Sequence, residues 1–209
     1  MARRPQHSPD QLRLMIVDAA EKIIREGGLG ELSAREIARL IKYSPGTIYN
    51  VFTTIDDVVL EIEQRVLKRL DSRLHAVKGG PSPDAELRRL ADAYVDFTHG
   101  DARLWSVLAE HRLRPRAVLP EWYDELLRRL LDRIEAALVP AFPIERQRER
   151  RQSARALFAS LHGVTSLSSA GKLPIVTPEE TRGLLQDLMS TYLAGTSRRS
   201  RPRGRQSGK

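Results

Sequence analysis

The chain contains no cysteine, which excludes disulfides, thiolate metal sites and cysteine nucleophiles. No apolar run approaches the roughly 18 residues of a membrane-crossing helix. Met1-Ala2-Arg3-Arg4-Pro5 has positive charge but no apolar stretch behind it, unlike a secretory leader. No segment alternates apolar and polar residues as a half-buried strand would, and no internal repeat is present. The five histidines (7, 75, 99, 111 and 162) never fall at His-x-x-x-His spacing. Glu110 and His111 are adjacent, so on a helix they point apart. No serine stands in a nucleophile elbow. These absences predict a protein that is not an enzyme, binds no metal or cofactor, and resides in the cytoplasm.

The formal charge of +8 suggests a nucleic-acid partner, but its placement matters. The tail from Arg198 to Lys209 holds six positive residues and no acid, and Arg3 and Arg4 add two more. The body between them is formally neutral. From Asp10 to Leu60, six cations (Arg13, Lys22, Arg25, Arg35, Arg39, Lys42) face eight acids. Net charge therefore carries no DNA-binding inference by itself. The Arg/Ser/Gly-rich tail, residues 198–209, reads as a disordered basic segment that adds non-specific phosphate attraction or simply solubility.

What the chain does contain is helix signals. Leu12, Ile16, Ala19, Ala20, Ile23 and Ile24 recur at helical spacing and stop at Gly27-Gly28. Ser33 with Glu36 has the spacing of a capping box and opens a helix to about Ile41. Ser44-Pro45 starts another that ends near Phe52. Thr54 with Asp57 opens a long helix toward Val77, before the Gly79-Gly80-Pro81 break. Further helices are expected from Ser82 to Gly100, from Asp101 to Leu113 and from Trp122 to Leu138. A long one is expected from Ile144 to Gly171. Pro174–Thr177 reads as a loop, and Thr177-Pro178 opens the last helix.

The most informative unit is the pair of short helices between Ser33 and Phe52. Leu32, Ile37, Ala38, Ile41, Ile48 and Phe52 can close a small core. That leaves Ser44, Gly46, Thr47, Tyr49 and Asn50 outward, small or hydrogen-bonding as a helix entering a major groove requires. Its first turn also offers free N–H groups to a phosphate oxygen.

Residues 9–62 resemble the DNA-binding domain of TetR-family regulators. Ile37-Ala38, followed by Ser44-Pro45-Gly46-Thr47-Ile48-Tyr49-Asn50-Val51-Phe52, matches that family's Gly-Thr-aliphatic-Tyr-x-x-Phe core. The resemblance implies an all-α homodimer of about nine helices. Its helix-turn-helix domain is joined by the long helix to a ligand-binding and dimerisation domain at 82–197. It implies a repressor that binds a palindromic operator and is released by a small lipophilic effector. Arg35 would contact a base or phosphate, Thr47 base edges or backbone, Tyr49 a phosphate and Asn50 a base or phosphate. Gly46 would permit close approach. Tyr43 and Ser44 complete the DNA-facing set. Arg35 also reads as an ordinary surface charge, and Tyr49 as an edge-of-core tyrosine. Two positions depart from the family pattern. Lys42 stands where many relatives have a turn glycine, and it offers its charge to DNA. Ile55 stands where many have a phosphate-binding lysine. The arm with Arg3 and Arg4 is therefore expected to supply charge, in the minor groove.

Beyond residue 82 the candidates are aromatic. Tyr94, Phe97, Trp105, Trp122, Tyr123 and Phe158, with His111 and His162 as polar groups, read either as core or as an effector pocket. Phe158-Ala159-Ser160-Leu161-His162-Gly163 resembles the Trp-x-x-x-His-Gly phrase of one TetR C-terminal subgroup, with Phe158 in the tryptophan place. Ala156, Ala159, Ser160, Gly163, Ser166 and Ala170 form a small-residue stripe. With Leu188 and Tyr192 of the last helix, it is the expected dimer contact. The rival functions are an effector-independent binder or activator, and a lipid-binding helical protein.

Overall fold

The computed structural model describes residues 7–112, 119–177 and 179–199. Among the described residues it contains ten α-helices and no strand. The chain divides into two compact units. The first comprises Met1–Arg69 with Gly100–Tyr123, the second Leu70–His99 with Asp124–Lys209.

In the first unit α1 spans Pro9–Gly27. Its start is set by a reciprocal capping box, in which the Gln11 N–H donates to Ser8 Oγ (3.2 Å) and the Ser8 N–H to Gln11 Oε1 (2.9 Å). Ile16, Val17, Ala20 and Ile24 form its fully buried face. Gly28 stops it at φ +87, a value that L side chains rarely adopt. Next come α2, Ala34–Ile41, and α3, Pro45–Val51. Their core is Ala34, Ile37, Ala38, Ile48 and Phe52, with Leu32 and Ile41 half-buried. The helix α4 runs Ile55–His75. Thr54 and Asp57 cap it reciprocally, Thr54 N–H to Asp57 Oδ2 at 2.7 Å and Asp57 N–H to Thr54 Oγ1 at 3.2 Å.

A buried carboxylate ties α1 to α4. Glu21 has guanidinium nitrogens of Arg25, Arg69 and Arg65 at 3.1, 3.3 and 3.5 Å. A buried charge so surrounded keeps its hydrogen-bonding capacity satisfied. Asp101 joins the first unit twice, accepting from Arg25 Nε at 2.7 Å and from the Leu104 N–H at 3.4 Å. The second bond caps α6, Ala102–Glu110, which buries Leu104, Trp105 and Val107.

The second unit is built on α5 (Pro83–Gly100), α7 (Glu121–Leu138), α8 (Gln147–Ser169), α9 (Leu173–Val176) and α10 (Thr181–Arg199). Its core includes Leu87, Leu90, Tyr94, Leu130, Leu138, Leu157, Leu161, Leu185 and Met189. Arg182 of α10 bridges Asp92 and Asp96 of α5, both at 2.6 Å. Arg133 bonds Glu86 at 2.7 Å and the Val77 carbonyl at 3.2 Å, holding the segment that follows α4 against α5.

Several boundaries differ from expectation. Pro174–Thr177 is not a plain loop, because Leu173–Val176 closes a single helical turn with Pro174 inside its start. That turn brings the helix count to ten rather than about nine. The last helix begins at Thr181, where Glu180 O accepts the first bond, from Leu184 N at 3.0 Å. The helix expected from Ile144 starts as a 3₁₀ turn, Ile144–Arg146, and becomes α-helical at Gln147. The Ser33–Glu36 box forms only by half. Ser33 Oγ accepts the Glu36 N–H (3.2 Å), while the Glu36 carboxylate turns to Arg39 (2.8 Å). A charged partner one helical turn away outcompetes the neutral backbone donor. Residues 1–6 and 200–209, including Arg3, Arg4 and most of the basic tail, lie outside the described residues, as does the expected end at Leu113.

Candidate nucleic-acid interface

The turn between α2 and α3 is a left-handed residue. Lys42 has φ 60 and ψ 41, and it is the one non-glycine with positive φ among the described residues. Its N–H still bonds the Ala38 carbonyl, and Tyr43 N–H bonds the same oxygen at 3.0 Å, closing α2. Ser44 follows in extended backbone, and Pro45 starts α3. The Ser44 hydroxyl caps no backbone N–H. It lies 2.9 Å from the Thr47 hydroxyl instead.

This geometry presents a continuous polar strip. Arg35, Lys42, Ser44, Gly46, Tyr49 and Asn50 are exposed, and Tyr43 and Thr47 are half-buried. Tyr49 is 54% exposed, so it is not an edge-of-core tyrosine. Ile48 and Phe52 point the other way and are buried. Gly46 has open space: a Cβ built on it meets only Ser44 Oγ, at 3.8 Å.

Ion pairing explains how a formally acidic segment presents positive charge here. Of the six cations between Asp10 and Leu60, four are committed. Arg13 pairs with Glu61 and stacks over the Phe52 ring at 4.4 Å. Lys22 faces Glu26, Arg25 is held by Glu21 and Asp101, and Arg39 by Glu36. The remaining two, Arg35 and Lys42, have no carboxylate partner among the described residues. Both lie on the α2–turn–α3 surface. An unpaired, solvated guanidinium or ammonium is available to a phosphate without first breaking a salt bridge.

One residue beside this strip carried no signal in the sequence. His7 Nδ1 lies 2.7 Å from the Tyr43 hydroxyl, with ring centroids 6.0 Å apart.

The aromatic and histidine candidates separate into two groups. In the second unit Tyr94, Phe158 and His162 come together. The Tyr94 hydroxyl is 3.1 Å from His162 Nδ1, and the Tyr94 and Phe158 rings meet edge-on at 6.2 Å. Phe158 and His162 stack at 15°. Burial holds the His162 imidazole below the usual histidine range and pushes the Tyr94 phenol up. Phe97 is half-buried on the same helix as Tyr94. Trp105, His111, Trp122 and Tyr123 belong to the first unit instead. His111 Nδ1 is 2.8 Å from Glu63 Oε1, and the two side chains are only 6% and 5% exposed. Burial raises the Glu63 carboxyl while the His111 bond opposes that shift. Burial likewise raises the Tyr123 phenol, and the Glu63 charge adds to it. Trp122 packs on Tyr123 at 5.3 Å and lines a groove with Arg13, Phe52, Asp57 and Glu61.

On α8, Ala156, Ala159 and Gly163 are exposed, with Ser160 and Ser166 half-buried. Leu188 and Tyr192 of α10 are half-buried, and Tyr192 donates to Ser153 Oγ at 2.9 Å. No group of three or more His, Asp or Glu residues could hold a metal ion among the described residues. No described helix is long and apolar enough to cross a membrane.

An all-helical chain with such a helix-turn-helix is a DNA-binding transcriptional regulator. Its family follows from comparison: residues 16–62 match "Bacterial regulatory proteins, tetR family", and residues 87–192 match "Tetracyclin repressor-like, C-terminal domain". The chain belongs to the TetR family, whose members are regulators rather than enzymes. Among solved structures it is similar to a transcriptional regulator from Rhodococcus sp. Rha1 (21% identity, 91% of this chain and 98% of that one, TM-score 0.68). It is also similar to a TetR-like transcriptional regulator from Rhodococcus sp. RHA1 (22% identity, 92% and 100%, TM-score 0.61). A third similar structure is the fatty acid degradation regulator FadR from Bacillus halodurans (20% identity, 87% and 97%, TM-score 0.59). At these identities the likeness concerns the fold. No curated protein matches the chain.

Proposed function

We propose that this protein is a cytoplasmic repressor that binds a palindromic operator as a homodimer and leaves it when a small lipophilic effector binds. The observation that carries the DNA-binding surface is the pairing pattern. Among the described residues of α1–α3, every cation has a carboxylate partner except Arg35 and Lys42, which stand beside exposed Tyr49 and Asn50. In this reading Arg35 and Lys42 take phosphates, and Tyr49 donates its hydroxyl to another. Thr47 and Asn50 reach base edges, while Gly46, Tyr43 and Ser44 let the turn approach the backbone. Arg3 and Arg4 extend the contact.

The exposed small side chains Ala156, Ala159 and Gly163, with Ser160, Ser166, Leu188 and Tyr192, support an isologous helix pair between two copies. The Tyr94–Phe158–His162 cluster, with Phe97, supports the effector site. It offers an apolar wall with a phenol and a neutral imidazole to orient a ligand. Trp105, His111, Trp122 and Tyr123, within the 87–192 match to the C-terminal domain, are a second candidate set. An effector acts only through its unequal affinity for the DNA-competent and released states.

The test is selection of sites from random DNA by the full-length protein, followed by binding of Arg35→Ala and Tyr49→Phe to the selected site. A two-fold symmetric site, weakened by both changes, supports the proposal. Salt-sensitive binding with no preferred site favours an effector-independent architectural binder.

A further inference from the structure

We infer that a groove between α7 and α8 binds a small phosphomonoester that also carries hydroxyl groups. The groove lies within the second unit and has a volume of about 360 Å³. It shares no residue with the Tyr94–Phe158–His162 cluster. Its volume is near the lower end of ligand pockets, so the ligand is small. Spacing along the chain aligns the two walls. On α7, Arg128, Leu131, Asp132 and Glu135 recur at i, i+3, i+4 and i+7. On α8, Arg151, Ala154 and Arg155 recur at i, i+3 and i+4. Each set therefore shares one face of its helix. Half-buried Leu131 and buried Ala154 supply the apolar part of the lining.

Charge decides what the groove takes. The Glu135 side chain is 17% exposed and is compensated from α8, where Arg150 Nε donates to it at 3.1 Å. Arg151 Nε stands 3.6 Å from the same carboxylate, too far for a hydrogen bond, and the Arg151 side chain is 55% exposed. Arg128 and Arg155 are exposed and have no carboxylate partner among the described residues, and exposed Asp132 has no cationic one there. Three guanidiniums thus line the groove without closing onto its free carboxylate. With Arg150 counted, four arginines face two carboxylates. Two positive charges remain uncompensated, matching a phosphomonoester dianion at neutral pH. A single exposed arginine contributes little. Three around one cleft can aim their planar forks at the same phosphate oxygens. Asp132 sets the second requirement. As an acceptor it repels a bare anion but takes hydrogen bonds from hydroxyls beside a phosphate.

The experiment is calorimetric titration of the full-length protein with ribose 5-phosphate, glycerol 3-phosphate, inorganic phosphate and ribose. At least one of the two phosphomonoesters is expected to bind about tenfold more tightly than inorganic phosphate, through hydroxyl bonds to a charged acceptor. Ribose, which lacks the phosphate, should not bind. Arg128→Ala/Arg155→Ala removes two forks and should weaken the phosphomonoester at least about tenfold. Asp132→Ala should reduce the preference over inorganic phosphate to about twofold or less, because hydroxyl recognition and anion repulsion are lost together. Lys68→Ala/Arg73→Ala removes the same charge from exposed positions of α4 outside the groove. That change should move the affinity by less than about twofold, since distant exposed charges are screened. Urea unfolding of each variant separates these effects from loss of fold.

Failure of both phosphomonoesters to bind would overturn the inference. So would binding that survives the loss of Arg128 and Arg155. An equal weakening by the α4 control would overturn it too, because the attraction would then come from the charge of the whole chain. Equal affinity for inorganic phosphate, unmoved by Asp132→Ala, would leave an anion-attracting patch in place of a site that reads hydroxyls.

Discussion

Replacing Lys42 by glycine separates the conformational work of the turn from its work on DNA. Lys42 holds φ 60 and ψ 41, and the left-handed region costs a non-glycine residue about 1–2 kcal/mol. Glycine removes that strain. It also widens the unfolded ensemble, which takes back about 0.5–1 kcal/mol. The net expectation is a gain of about 0.5–1 kcal/mol, since the exposed side chain of Lys42 has no ion pair among the described residues to give up. Urea unfolding with an unchanged m-value would read it as a higher midpoint. DNA binding should move the other way. In the proposed homodimer one phosphate contact per subunit, two in all, would be given up, lowering the slope of log K against log salt by about 1.8. At 0.1 M salt that is a weakening of about 60-fold, shrinking as salt rises. Lys42→Arg should keep both the affinity and the strain. A glycine variant with unchanged salt slope would refute the phosphate interaction. One less stable than wild type would refute the strain argument, whatever its affinity.

Three other changes test neighbouring points. Gly46→Ala should leave the fold intact or stabilise it by up to about 1 kcal/mol, because the added methyl meets nothing closer than 3.8 Å and alanine is the better helix former. The same change should weaken operator binding at least about tenfold if the backbone approaches DNA there, a cost of about 1.4 kcal/mol; equal affinity would remove Gly46 from the interface. Tyr49→Phe should shift the unfolding midpoint negligibly, as expected for an exposed side chain, yet cost about tenfold in dimer affinity through one missing hydroxyl per subunit. Acid stability should report His162. Its folded pKa is depressed by burial, so the unfolded chain takes the proton first. Stability is full above about pH 6.5 and falls as pH drops below it, by no more than about 1.4 kcal/mol per pH unit, until the folded state also protonates. The raised Glu63 carboxyl works in the opposite sense, so the comparison must be with His162→Leu, whose titration lacks only the histidine's contribution. Parallel pH profiles for the two proteins would contradict the burial effect.

Local signals carried most of the fold. Gly28, Ser33, Pro45 and the Thr54–Asp57 pair each mark a helix boundary through chemistry that acts within four residues, so spacing alone exposes them. The Ser8–Gln11 box is equally local, but it stands ahead of the apolar series that begins at Leu12. The turn at Leu173–Val176 was hidden because one helical turn carries no period. The outward face of α3 was legible because Ile48 and Phe52 are large and apolar while Gly46, Thr47 and Asn50 are not.

Tertiary pairing was not legible. Arg13 finds Glu61 at a distance of 48 residues, and Arg25 finds Asp101 at 76. Counting charges could not reveal that, among the described residues, Arg35 and Lys42 are the cations left without a carboxylate on the DNA side. The same holds for His111, which read as an effector-pocket residue of a second domain. It bonds Glu63 within the first compact unit, which also holds Trp105, Trp122 and Tyr123, although all four lie inside the 87–192 match to the C-terminal domain.

The central claim is that two α2–α3 surfaces grip successive major grooves of one DNA site. Hydroxyl-radical footprinting of the full-length protein on its selected site tests this most directly. The expected pattern is two symmetric protected patches about 34–36 Å apart, one helical turn, both abolished in Arg35→Ala/Tyr49→Phe. A single unpaired patch, or protection unchanged by those substitutions, would contradict it.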